Sequence, residues 1–303
     1  MSSRTRDRWQ PAEPVRLIAG TPAGGGQDRA ARALARAITA SSRIPIEVSN
    51  LPGRGGGAAW SSVAAEPRRA DLLSISSPTL ITNAIHDPDE PDISSFTHLA
   101  LLCTEYILFV SATLATPDDL LADLAAGTSV AAIATALGNV NHVALSTVAR
   151  HTGGDPTGGT VRAFGSARTA VNEVVSGRAS VAAVSAASAL GEVEAGAVRA
   201  LAVSAPRRLE GPLMSVPTWT EMGVPCEMGT WRGVVAPPDL TEVAIEFWDA
   251  SLAAAASDGA WRSAMAEHLW SDSYLSSEDA TRFVRDEDRR LRLALGRMEL
   301  TGG

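Results

Sequence analysis

A chain of 303 residues, 45% apolar and 20% charged, has the composition of a folded globular protein and is long enough for two domains of ordinary size. Its net charge of −8 argues against a nucleic-acid or anionic-membrane surface, so a bound anion must be caught by local donors. All its basic charge is arginine, because no lysine occurs.

The first fourteen residues, MSSRTRDRWQPAEP, lack the apolar run of a secretory leader. No stretch is long enough to cross a bilayer. The chain therefore reads as a mature or trimmed form, or as one that stays inside the cell.

From Val15 to Ile38 a short apolar run leads into the breaker Thr21-Pro22-Ala23-Gly24-Gly25-Gly26. From Gln27 onward Ala30, Ala31, Leu34, Ala35 and Ile38 recur at helical spacing, with Arg29, Arg32 and Arg36 on the opposite face. A strand, a glycine turn and a helix in that order present unpaired N–H groups at the positive end of a helix dipole, a ready anion site. The phosphate-loop pattern fails because Gly26-Gln27 stand where Lys and Ser or Thr are needed. The dinucleotide pattern fails because Arg29 replaces its last glycine. Asp28 in the first helical turn would repel a polyphosphate, which leaves a small carboxylate as the better fit. The segment is also readable as a tight turn with no ligand.

Ile44–Val48 reads as a second strand, Asn50–Gly57 as a second glycine-rich loop and Ala58–Ala65 as a second helix. Leu72–Ile75 is a third strand, ending in the polar loop Ser76-Ser77-Pro78-Thr79. Strands alternating with helices indicate a parallel α/β sheet. His86–Asp92 (HDPDEPD) reads as a solvated turn rather than a metal site. Tyr106–Val110 is the next strand. A helix follows with Thr116 as N-cap, Pro117 first, acids in its first turn and Gly127 closing it.

Val130–Ile133 is a strand ending in a loop through Leu137, Gly138, Asn139, Asn141 and His142, and then a helix. Val161 leads into Phe164-Gly165-Ser166-Ala167 and a helix over Thr169–Val175. Val181–Val184, with Ser185 at its end, and Val198–Val203 add two strands. Trp231–Pro237 returns the chain. Helices over Glu242–Ala256, Ala260–Leu269 and Glu278–Arg297 finish it, the last with capping-box spacing between Ser276 and Asp279. The run Arg285–Arg292, interleaved with Asp286, Glu287 and Asp288, reads as a solvated helix face.

No nucleophile elbow, HExxH or C-x-x-C occurs, so catalytic chemistry, metals and cofactors are not expected. Of the five histidines only His142 stands at a strand-end loop, where it donates to a ligand or packs locally. Cys103 and Cys226 read as isolated apolar thiols, though one bridge between them is open. Polar or glycine loops recur after strands at Thr21–Gly26, Ser76–Thr79, Leu137–Asn141 and Phe164–Ser166. Open α/β sheets bind ligands at that end. Backbone amides are the expected donors, assisted by the hydroxyls of Thr21, Ser77 and Ser166 and the amide of Asn139.

This order of motifs resembles the Bug-type receptors, the substrate-binding components of tripartite tricarboxylate transporters. The likeness rests on Pro14–Ile18 with Pro22–Gly26 and Asp28, Asn50–Gly53 with Gly55-Gly56, Gly138 with Asn141-His142, and Gly165-Ser166. It continues through Ala195-Gly196 with Arg199–Val203, Val216–Thr218 with Glu221–Gly223, and Trp231 with Gly233 and Ala236-Pro237. The resemblance implies a two-domain α/β fold of the type II periplasmic-binding-protein kind, with the ligand cleft between the domains. It implies domain 1 at residues 14–111 plus 231–303 and domain 2 at 112–230, joined by crossing strands at Tyr106–Val110 and Trp231–Val235. The implied function is a non-enzymatic, monomeric, extracytoplasmic receptor delivering a di- or tricarboxylate to membrane permease subunits. The ligand-binding residues so implied are Thr21, Pro22, Ala23, Gly24, Gly25, Gly26, Asp28, Ser76, Ser77, Thr79, Gly138, Asn139, His142, Phe164, Gly165, Ser166, Ser185, Trp231 and Arg232. The chain departs from the family at Arg162-Ala163-Phe164-Gly165, where Pro-Tyr-Lys-Gly is common, and at Val184, where Asp is common. Arg162, Arg168 and Arg232 are candidates for the missing cation. A ligand sensor serving a signalling partner, or an enzyme of small organic acids, would use the same cleft.

Overall fold

Ile18, Leu72 and Leu73 belong to short, mostly apolar β-rich runs, the pattern of strands covered largely on both faces. In the computed structural model, which describes residues 9–12, 14–134, 136–155 and 159–297, these runs form the centre of a sheet. The opening residues read above for a leader lie largely outside the described residues. The chain divides into two compact units. The first holds the chain up to Cys103, Arg232–Ala266 and Asp272–Asp288; the second holds Thr104–Trp231, Glu267–Ser271 and the chain from Arg289.

In the first unit β1 (Val15–Ala19) lies between β2 (Ile46–Asn50) and β3 (Leu72–Ser76), all parallel, with Ile18 beside Ser49 and Ser74. β3 is buried at every position and pairs antiparallel with β9 (Gly229–Ala236), Ser76 against Gly233. Helices α1 (Gly26–Ser42), α2 (Gly57–Ala64) and α3 (Pro78–His86) follow the three parallel strands. α8 (Glu242–Ala256) packs on α1. Leu17, Leu34, Ile38, Leu72, Ile75 and Trp60 fill the core, and two indoles are satisfied, Trp60 donating to Ile75 O (3.0 Å) and Trp248 to Ala70 O (2.9 Å).

In the second unit β5 (Val130–Ala134) lies parallel between β6 (Thr160–Phe164) and β7 (Val181–Ser185). β4 (Thr97–Ser111) pairs antiparallel with β7 and with β8 (Arg199–Val203). Helices α4 (Pro117–Ala126), α5 (Val140–His151), α6 (Ala167–Val175) and α7 (Ala186–Glu194) cover this sheet. Its core includes Leu108, Val110, Val171, Val184 and Val203, and Phe109 meets Trp219 edge-on at 5.1 Å. The chain ends with α9 (Gly259–Glu267), β10 (Ser271–Leu275) and α10 (Ser277–Arg297).

Local chemistry explains where expectation and structure agree. α4 carries a full capping box between Thr116 and Asp119, Pro117 in its first turn, and Gly127 in the left-handed region at φ 67°. Longer-range packing explains the differences. Ser76–Thr79 does not stay a loop, because Pro78 starts α3 behind the N-cap Ser77. β4 reaches back to Thr97, its extra residues being almost wholly buried. α7 and the polar strand β10, which pairs with β4, were not anticipated. Asp279 pairs with Arg282 rather than closing a capping box with Ser276. The His86–Asp92 turn is not wholly solvated, since Glu90 is buried. Within the Arg285–Arg292 run, Glu287 and Leu291 are buried too. Both cysteines are buried thiols outside any disulfide, and burial pushes the Cys226 thiol up to about 12.

Candidate functional site

The turn between β1 and α1 is held by four side chains, those of Gln27, Asp28, Asn50 and Thr21. Gln27 Oε1 accepts the Gly20 amide at 2.8 Å. Asp28 accepts the Gly24 amide at 2.8 Å, Arg32 Nε at 2.9 Å and the Asn50 amide at 2.8 Å; Asn50 also donates to Thr21 O at 2.9 Å. Thr21 Oγ1 takes the Asp28 amide at 3.2 Å. Burial pushes the Asp28 carboxyl up, but the hydrogen bonds from Arg32, Gly24 and Asn50 outweigh it and hold the group below its ordinary 3.8. Asp28 is thus occupied as the brace of the turn. Gln27 and Asn50, which sequence reasoning did not assign to the site, share that task; the available signal was their place just beside the two glycine loops.

Bracing fixes which amides remain. Gly25 N–H donates to Pro22 O and Arg29 N–H to Gly25 O. The amides of Gly26 and Gln27 open α1 with no acceptor among the described residues. Gly26 is partly accessible, and Pro22, Ala23 and Gly24 are exposed around it.

Arg232 supplies the charge. It stands on β9, one step beyond the Ser76–Gly233 pair, and is only 8% exposed. A Cβ on Gly26 would lie 3.2 Å from Arg232 Cζ and still closer to Nη2, so the guanidinium occupies the space a side chain at the start of α1 would need. Ser77, the N-cap of α3, is buried at 1% exposure, and its Oγ makes no hydrogen bond among the described residues. Ser76 is buried, whereas Thr79 stands partly exposed on α3. In this unit the structure brings together the expected Thr21–Gly26 turn and Arg232, with Ser77 next in register.

A second helix start in the same unit is filled from within. At Gly57, the first residue of α2, an added Cβ would meet the Glu90 carboxylate, 2.7 Å from Oε1 and Cδ. Glu90 also pairs with Arg54 Nε.

In the second unit the expected residues fall at the ends of adjacent parallel strands. Ala134 of β5 pairs with Phe164 of β6, and Ile133 with Ala183 of β7, so the three strands end level. Asn139, Ser166 and Ser185 are the N-caps of α5, α6 and α7. Asn139 accepts the His142 amide at 3.1 Å, and Ser166 the Thr169 amide at 3.2 Å. His142 is buried and its Nδ1 takes the Gly138 amide at 2.9 Å, which makes it a brace of its own loop. Gly165 and Ser166 are exposed; Trp231 is buried. Arg162 and Arg168 are exposed, so of the three candidate cations only Arg232 is desolvated. No group of three or more potential metal ligands occurs among the described residues.

The family described as "Tripartite tricarboxylate transporter family receptor" matches residues 138–299, more than half the chain. No curated protein matches. Several solved structures share the fold. The periplasmic binding protein BugD is 18% identical, with a TM-score of 0.78 over 96% of this chain and 99% of its own. MatC from Rhodopseudomonas palustris, with bound malate, is 20% identical, with a TM-score of 0.79 over 94% of this chain and 100% of its own. A second R. palustris protein, with adipate, is 22% identical, with a TM-score of 0.80 over 95% and 98%. The fold is that of the periplasmic binding proteins.

Proposed function

Because the chain belongs to the tripartite tricarboxylate transporter receptor family, we propose that it captures a small di- or tricarboxylate outside the cytoplasm and delivers it to membrane permease subunits. The family consists of receptors, so this chain binds a carboxylate solute and does not transform it. The observation that carries the ligand reading is the braced Thr21–Gly26 turn. Asp28, Asn50 and Gln27 hold it so that the Gly26 and Gln27 amides are left without an acceptor among the described residues at the positive end of α1, beside the Arg232 guanidinium. Malate and adipate, bound by two proteins of the same fold, have the chemistry such a site suits. Asn139, Ser166 and Ser185 are proposed as contact residues of the second unit.

The magnitudes agree. A charge-assisted hydrogen bond contributes about 1.5–3 kcal/mol, and micromolar affinity needs about 8 kcal/mol net. Four or five such donors, offset by ordering and desolvation, reach that level. The test is a thermal-shift and calorimetric panel of mono-, di- and tricarboxylates, malate and adipate included. A ligand at about a hundred times its Kd adds roughly 2.7 kcal/mol of stability. A panel in which no carboxylate shifts the melting of the folded protein overturns the reading.

A further inference from the structure

The far end of α1 has the opposite character to its start. Helix α8 lays Glu246, Phe247 and Ser251 beside it, and the incoming chain adds Trp9 and Gln10. With Ser42, the last residue of α1, these residues line a cavity of about 410 Å³ within the first unit, a volume in the range of small-molecule sites. The rings of Trp9 and Phe247 meet edge to face, 5.0 Å apart and inclined at 81°, and so form an aromatic corner.

The charge of the lining is negative. Glu246 is exposed and makes no hydrogen bond or ion pair among the described residues. The carbonyl end of α1 adds roughly half a negative charge, and its last turn holds no basic residue. No base lines the cavity, since Arg43 at the C-cap of α1 is not among its walls. The start of α8, whose dipole would oppose this field, is already offset: Thr241 accepts the Ala244 amide and Glu242 stands in the first turn. An aromatic corner with a carboxylate at its edge repels an acid and attracts an organic cation, because ring faces draw positive charge while their apolar surface suits N-methyl groups.

We propose that this cavity is a second binding site, separate from the turn before α1, and that it takes a small organic ammonium ion held by the rings of Trp9 and Phe247 and by the Glu246 carboxylate. A quaternary ammonium that carries a hydroxyl suits it best, its methyl groups against the rings and its hydroxyl within the polar wall of Gln10, Ser42 and Ser251. The 17 residues of α1 make it about 25 Å long. Ligands of opposite sign thus sit at opposite ends of one helix, each at the pole that attracts it.

The test uses the full chain with choline and its uncharged carbon isostere, dimethylbutanol, as probes, read by saturation-transfer NMR on the probe methyls and by titration. Choline receives saturation and titrates, and the isostere binds about 10-fold more weakly or less. Because Glu246 is exposed, Glu246→Gln leaves the melting temperature unchanged. It lowers choline affinity about 3- to 10-fold, and raised salt does the same to the unaltered protein. Trp9→Leu lowers that affinity about 10-fold; should this variant fail to fold, Glu246→Gln and the isostere decide the matter. No choline binding by the unaltered protein overturns the inference. Equal binding of the isostere, the mark of a merely apolar dent, overturns it too, as does unchanged choline affinity in the variants. Malate and adipate titrations of Glu246→Gln match those of the unaltered protein, so failure of this site and failure of the receptor reading are told apart. A parallel loss of carboxylate affinity would show that the two sites are not separate.

Discussion

The first turns of α1 and α2 differ both in how their amides are satisfied and in what faces them: the Gly26 and Gln27 amides have no acceptor among the described residues, whereas Gly57 donates to Arg54 O and Ala58 to Gly53 O. At α2 the chain brings its own carboxylate: Glu90 fills the volume beside Gly57 and pairs with Arg54. At α1 an arginine stands in the corresponding volume beside Gly26. A helix start, a glycine and an arginine thus occur twice within one unit. At α1 the local carboxylate, Asp28, is instead spent on holding the turn.

The sharpest way to break the difference is to make α1 resemble α2. Gly26→Asp tethers a carboxylate beside Arg232, and the end of that arginine side chain has to shift to admit it. Stabilisation by a saturating carboxylate, about 2.7 kcal/mol at a hundredfold excess over Kd, disappears in a thermal shift, while the melting temperature without ligand is kept or raised. Retained binding would show that the α1 start is not where the ligand sits.

Removing the brace comes next. Asp28→Ala strands the Gly24 amide, Arg32 and Asn50, and costs about 2–3 kcal/mol in urea denaturation. The pH dependence has a definite sign. The folded-state pKa of Asp28 is depressed, so its contribution is present above the ordinary value of 3.8 and is lost as pH falls through the lower folded value. The unaltered protein therefore loses stability in that acid window more steeply than Asp28→Ala does.

The smallest effect belongs to the filled site. Glu90→Ala breaks a pair whose Arg54 side chain is 57% exposed, which limits the cost to about 1 kcal/mol. Carboxylate affinity measured by calorimetry stays as it was. A large drop would mean that the two helix starts depend on each other.

What could be read in the sequence follows from the range of the interactions. The start of α4 was legible because Thr116, Pro117, Asp119 and Gly127 act on their own neighbours. The turn before α1 was legible for the same reason, its glycines and Asp28 lying within a few residues of each other. β10 was not, since Ser271–Leu275 is polar and becomes a strand only by pairing with β4. α7 escaped because its small residues give little periodic contrast. Glu90 was misread because its acidic, proline-bearing surroundings look solvated, and only the fold brings it to Gly57. Arg232 was named only as one of three candidates for a missing cation, and its contact with Gly26 exists only because β9 returns beside β3.

That contact also governs which routes of change are open to the protein. Position 26 has no side chain because a residue on a distant strand uses the room, so the two positions are not independent. A bulkier apolar residue at 26, unable to pair with Arg232, is penalised while that arginine is present and loses that clash after Arg232 has been replaced by something short. The same pair of substitutions is therefore damaging in one order and passable in the other, and a descendant that has taken the passable order cannot regain the arginine in a single step.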